Sequence, residues 1–174
     1  MIVVAFDLSL SSTGVATPDG PSIHKAPATG ELHRRINALA CSLVDVADAW
    51  QADLVVIEDL VLTGPSLGKA ALTLGQLHGV VRHELAVRRH YELVLVQPSQ
   101  LKKYATGKGN ASKALVLVEA VKRLGYVGSS DDEADALWLR EMALNHYVQS
   151  HVPVPGTHVM ALDKVEWPDL QDAA

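Results

Sequence analysis

The sequence predicts an α/β fold: a five-stranded mixed sheet, made of an antiparallel three-strand meander plus parallel strands, flanked by helices. Three observations predict it. Two apolar runs, IVVAF at 2–6 and LVVI at 54–57, are rich in Val and Ile and lack alternation, as strands buried on both faces do. Between them, turn residues divide the N-terminal region into short pieces. From residue 31 onward, helical periodicity alternates with strand-like runs, an order that demands crossovers between parallel strands.

The elements follow in order. The first strand, 2–6, ends at Asp7. Gly14 to Thr17 and Ser22 to Ala26 read as two further strands joined by the turn Pro18, Asp19, Gly20, Pro21. Leu32, Ile36, Leu39, Leu43, Val46 and Trp50 then recur at spacings of three and four, which is one face of an amphipathic helix. The segment DLVVIED at 53–59 is a buried strand ending in acids. Pro65 and Gly68 break the chain before a helical pattern running from Ala70 to about Arg89. Leu93 to Val96 supplies the fifth strand, Pro98 opens a short helix through Tyr104, and the glycine loop TGKGN precedes a helix from Ala111 to Leu124. A last helix begins near Asp132. Residues 1–149 form one domain, and 150–174 form a C-terminal extension of unassigned role with a predicted strand at His158 to Leu162.

Composition bounds the class. The chain has 174 residues, 48% of them hydrophobic and 20% charged, enough for a sizeable core and incompatible with general disorder. Its single cysteine, Cys41, excludes an internal disulfide framework and cysteine-based zinc sites, which points to a reducing, cytoplasmic setting. MIVVAFD carries no basic leader, and its apolar run stops at Asp7, so neither a signal peptide nor a membrane anchor is expected. Net charge is −5, yet residues 102–123 hold six basic residues against Glu119 alone. That strip is +5, leaving −10 elsewhere, a separation suited to an anionic partner.

The stretch SSDDEADALWL at 129–139 crowds Asp131, Asp132, Glu133 and Asp135 at a helix start. Ser130 or Asp131 as a cap, and attraction of carboxylates to the positive end of the helix dipole, explain one or two of these acids. Asp132 and Asp135 stand three apart and share a face, where like charges repel unless something positive intervenes. Asp7 and Glu58 each end a buried strand, and in such sheets adjacent strand ends lie together. Four carboxylates at one point call for hard cations bound by oxygen, Mg²⁺ or Mn²⁺, and two such ions suit phosphodiester hydrolysis.

These residues resemble the RuvC family of Holliday junction resolvases, with a ribonuclease H-like fold, and particularly its short bacteriophage forms. DLSLSSTG at 7–14, VVIE at 55–58, LGQ at 74–76 with Gly79, PSQLKK at 98–103, TGKG at 106–109, ASK at 111–113 and DEADAL at 132–137 carry the resemblance, in order, over residues 1 to about 147. It implies a ribonuclease H-like nuclease domain over 1–149 and a homodimer cutting two opposing strands of branched DNA. It also implies that Asp7, Glu58, Asp132 and Asp135 are the catalytic residues and hold two Mg²⁺ ions, Mn²⁺ substituting, which activate the attacking water. Lys102 and Lys113 match DNA-contacting positions, with Lys103, Gly107, Lys108 and Gly109 as their neighbours; helix starts and glycine loops offer N–H groups to phosphates. A phage-encoded protein of this kind would act in the host cytoplasm.

Where the bacterial family has an aromatic wedge after the strand-end glutamate, this chain has Asp59, Leu60, Val61 and Leu62, which extends the expected substrates from four-way junctions to flaps or forks. Alternatives are a ribonuclease acting on RNA or hybrids and a nonenzymatic DNA-binding module. Asp7 with Ser9, Ser12, Thr13 and Gly14 also resembles the first phosphate loop of actin-like sugar and acetate kinases, whose second domain this length does not supply.

Overall fold

The computed structural model describes residues 1–61 and 68–170. Leu62 and Pro65, used above as part of the wedge comparison and as a chain break, lie outside the described residues.

Five strands form one mixed sheet: β1 (Val3–Asp7), β2 (Thr13–Thr17), β3 (Gly20–His24), β4 (Leu54–Glu58) and β5 (Leu93–Val96), in the order β3-β2-β1-β4-β5. The β1–β2 and β2–β3 pairs are antiparallel; β1–β4 and β4–β5 are parallel. The expected mixed sheet therefore forms, and the meander and the parallel half meet at β1. The third strand sits two residues earlier than its predicted start, because only Pro18 and Asp19 separate the paired residues Thr17 and Gly20. Gly20 adopts φ +120°, open to glycine and strained for any other residue.

Alternate residues of each central strand feed two cores. Val3, Ala5, Leu54, Val56, Val94 and Val96 face α3 (Pro98–Thr106), α4 (Lys113–Leu124) and α5 (Asp131–His146). Val4, Phe6, Val55 and Ile57 face α1 (Leu32–Trp50) and α2 (Lys69–Arg82). Strands covered on both sides cannot alternate apolar with polar, which is why their sequences read as continuous apolar runs. The helix predicted to reach Arg89 ends as α2 at Arg82 and continues as one π-helical turn, His83–Arg88, that still buries Leu85 beneath Leu77 and Val81.

α5 lies across the sheet and is buried around most of its circumference, with Ala134, Ala136, Trp138, Leu139, Met142 and Ala143 inaccessible. Trp138 donates its indole N–H to the Val116 carbonyl at 3.2 Å and meets Tyr104 edge-on at 5.8 Å. The strand predicted at His158 to Leu162 does not form. The chain instead makes a short helix, α6 (Gly156–Val159), and a 3₁₀ turn, Leu162–Lys164. Ala161, Leu162 and Val165 pack into the core beneath α3 and α5, so this segment buries its apolar residues against helices, not on a sheet edge. No helix among the described residues is long and apolar enough to cross a membrane.

Candidate active site

Asp7 is the last residue of β1 and pairs across the ladder with Gly14 of β2. On its other side, the parallel register Phe6 to Ile57 places Glu58 alongside it at the end of β4, where the two carboxyl groups act on one another's ionisation. Asp59 points elsewhere, accepting from the Leu60 N–H at 2.9 Å, which separates its role from that of Glu58.

The N-terminus of α5 descends onto this pair. Ser130 caps it, its hydroxyl accepting from the Glu133 N–H at 3.3 Å. Tyr126 fastens the same turn: its hydroxyl donates to the Glu133 carboxylate and accepts from the Ser130 N–H at 3.1 Å. The approach is tight because of Gly14. A Cβ on Gly14 would lie 1.9 Å from the Asp132 carbonyl oxygen and 2.5 Å from its carbon. One helical step on, Asp135 points into the same space and is only 5% exposed. The fold thus brings Asp7, Glu58, Asp132 and Asp135 to one end of the sheet.

Their electrostatics follow from burial and proximity. Burial, then the charge of Asp7, pushes the Asp135 carboxyl up to about 7. Burial also raises Asp7, helped by Asp132. Glu58 is raised as well, by burial first and then by the adjacent Asp7.

The positive group among these acids is Lys113, at the start of α4. Its ammonium lies 3.1 Å from Asp131 and 3.8 Å from Asp132. Partial burial alone would lower the Lys113 pKa, but the hydrogen bond to Asp131 and the surrounding carboxylates outweigh it and raise it. Asp131 is lowered in return, chiefly by that hydrogen bond. Of the acids crowded at 131–135, then, Asp131 holds the lysine, Glu133 holds Tyr126, and Asp132 and Asp135 face the strand ends. Among the described residues no three such side chains stand close enough to form a ready-made metal cage.

Lys102 and Lys103 lie on α3, and Lys108 on the exposed loop behind it. Gly107 ends α3 with φ +80°, and Gly109 packs where a Cβ would lie 3.1 Å from the Ser99 carbonyl oxygen. A groove of about 560 Å³ opens between Leu8–Ser11, Arg35 and the first turns of α2, and none of the clustered carboxylates lines it. A separate cleft of about 650 Å³ between Met1, Tyr147 and Trp167 contains none of the clustered carboxylates. Sequence reasoning missed Gly14 and Tyr126 as positioning residues; a glycine opposite a strand-end acid was the available signal for the first.

The family model for crossover junction endodeoxyribonuclease RuvC matches residues 22–146, most of the chain. The chain belongs to the RuvC family. RuvC of Dictyoglomus thermophilum is 29% identical over 151 residues, covering 80% of this chain and 93% of that protein. RuvC of Frankia casuarinae is 30% identical over 156 residues, covering 80% and 86%. Among solved structures, Thermus thermophilus RuvC superposes with a TM-score of 0.66 at 17% identity, covering 89% of this chain and all of that one. The same RuvC in complex with a Holliday junction substrate also gives 0.66, at 16% identity. The ribonuclease H-like fold expected from the sequence is the fold of these RuvC structures.

Proposed function

We propose that this protein is a divalent-metal-dependent, structure-selective endonuclease that hydrolyses phosphodiester bonds in branched DNA, chiefly Holliday junctions and also flaps or forks. The observation that carries the reading is the convergence of Asp7, Glu58, Asp132 and Asp135 at one sheet end in a chain of the RuvC family. Their chemistry fits a hard divalent cation. The donors are all oxygen, and their carboxyl pKa values are raised because negative charge is crowded and poorly solvated, the condition that added positive charge relieves.

Asp7, Glu58, Asp132 and Asp135 would hold two Mg²⁺ ions, with Mn²⁺ able to substitute. When bound, the ions supply Lewis-acid activation of water and neutralise charge developing on the phosphoryl oxygens. The chain's own residues prepare the site. Gly14 lets the Asp132 backbone settle against β2, and Ser130 and Tyr126 fix the turn that carries it. Lys113 holds Asp131 and balances the cluster's charge, and its ammonium is placed to meet a phosphate brought to the carboxylates. Lys102, Lys103 and Lys108, with the backbone N–H groups around Gly107 and Gly109, would track the DNA backbone away from the scissile bond. A homodimer would present two such sites to opposing strands. The nuclease domain on this reading spans 1–149.

The test is cleavage of labelled four-way, flap, fork, linear duplex and RNA-hybrid substrates in Mg²⁺, Ca²⁺ or chelator. Cutting of branched DNA in Mg²⁺, abolished by chelator, supports the reading. Equal cutting of linear duplex removes the structure selectivity, and cutting confined to hybrids makes the enzyme a ribonuclease.

A further inference from the structure

The segment after α5 lies beyond the family match, which ends at residue 146. Its last residues lie against the end of α5, where Tyr147 donates its hydroxyl to the Pro168 carbonyl and His146 stacks on Trp167, while α6 and the 3₁₀ turn between them contact α3. His158 of α6 places Nδ1 2.9 Å from the Tyr104 carbonyl oxygen. That carbonyl belongs to the last turn of α3, where four carbonyls lack intrahelical partners. The Lys103 carbonyl is taken by the Gly107 N–H at 2.8 Å, and His158 supplies the donor for the next. Arg123 Nη1 stands 3.5 Å from the same nitrogen, a donor facing a donor, so the shorter carbonyl contact sets the ring's orientation.

Gly107 packs directly on that imidazole: a Cβ there would lie 2.7 Å from Nε2. At the other end of α3, Gln100 donates its side-chain amide to the Lys164 carbonyl at 2.6 Å. The tail between these contacts is anchored by buried Ala161 and Leu162. Both ends of the helix carrying Lys102 and Lys103 are therefore tied to the C-terminal segment, and the glycine loop bearing Lys108 starts where His158 touches.

We propose that residues 156–164 brace α3 and the loop 107–110, with His158 as the positioning residue that holds the loop in the conformation that receives the DNA backbone. The proposal rests on the reading above that this loop contacts DNA. Burying one donor–acceptor pair at a helix end restrains local opening without contributing to the sheet, so its loss is felt at the loop alone.

The test compares the full chain with His158→Ala, His158→Asn, Gln100→Ala and Lys108→Ala by amide hydrogen exchange and by junction cleavage kinetics. His158→Ala should speed exchange over 106–111 about fivefold and leave β1 and β4 unchanged. It should raise KM by a similar factor with kcat within about twofold. His158→Asn, which can place an amide N–H near the Nδ1 position, should restore both. Gln100→Ala should loosen the first turn of α3 in the same assay. Unchanged loop exchange in His158→Ala overturns the proposal, as does loosening spread evenly over the sheet. Unchanged junction binding by Lys108→Ala instead removes the DNA role of the loop, while the exchange data still decide whether the tail braces it.

Discussion

Replacing Gly14 by alanine tests whether a backbone contact sets the geometry of the carboxylate cluster. The added Cβ would lie 1.9 Å from the Asp132 carbonyl oxygen, where contacts under 3.0 Å are essentially never seen, so the two must separate by at least about 1.1 Å. Both partners are backbone, one in a central ladder and one in the capped first turn of α5, so no flexible side chain absorbs the clash. Overpacking of this kind costs about 1–3 kcal/mol, which in a chain this long lowers Tm by about 2–12 °C. The larger effect falls on chemistry. Moving Asp132 and Asp135 by about 1 Å from Asp7 and Glu58 should reduce kcat about 100-fold, because catalytic geometry tolerates little displacement. Gly79→Ala, on the exposed face of α2 with nothing within 4 Å of the new methyl, should leave both readings near wild type. The assays are circular-dichroism melting and single-turnover junction cleavage below the lower Tm. A Gly14→Ala protein that melts early but cleaves at the wild-type rate refutes the argument that this contact positions the site.

Three further outcomes are expected. Asp7→Asn should abolish cleavage and keep junction binding, measured by gel shift in Ca²⁺; normal cutting would remove Asp7 from the site. Lys113→Ala should weaken binding and lower the slope of log K against log salt by about 1, and should also disturb Asp131 and Asp132, its partners at 3.1 and 3.8 Å. The third concerns pH. Asp135 titrates near 3.8 when unfolded and near 7 when folded, so the folded state binds the extra proton and is favoured at low pH. This contribution is complete below pH 4 and lost as pH rises through 7, a change of about 4 kcal/mol in chelator. Urea unfolding of wild type against Asp135→Asn should show it as a diverging difference across that window, partly reversed by Mg²⁺; parallel curves would mean Asp135 is not buried among like charges.

Local pattern was sufficient wherever one element's own periodicity carried the information. The runs at 2–6 and 54–57 could only be strands covered on both faces, and the spacing from Leu32 to Trp50 could only serve one helix face. The acids at strand ends were legible for the same reason: in parallel neighbours the ends coincide, so Asp7 and Glu58 had to meet once β1 and β4 paired. Asp132 and Asp135 shared a helix face by spacing alone. What filled the space between these groups was decided by tertiary structure. Lys113, at the start of α4 and a whole helix before the loop that leads to α5, reaches Asp131 and Asp132, Gly14 admits α5 by lacking one methyl group, and His158 caps a carbonyl 54 residues earlier in the chain. The apolar residues at 158–162 read as a strand locally but had α3 and α5 to bury against, and became helix and turn. Periodicity is a property of neighbours in sequence; counterions, close approaches and caps from distant segments depend on where the chain returns, which no local window contains.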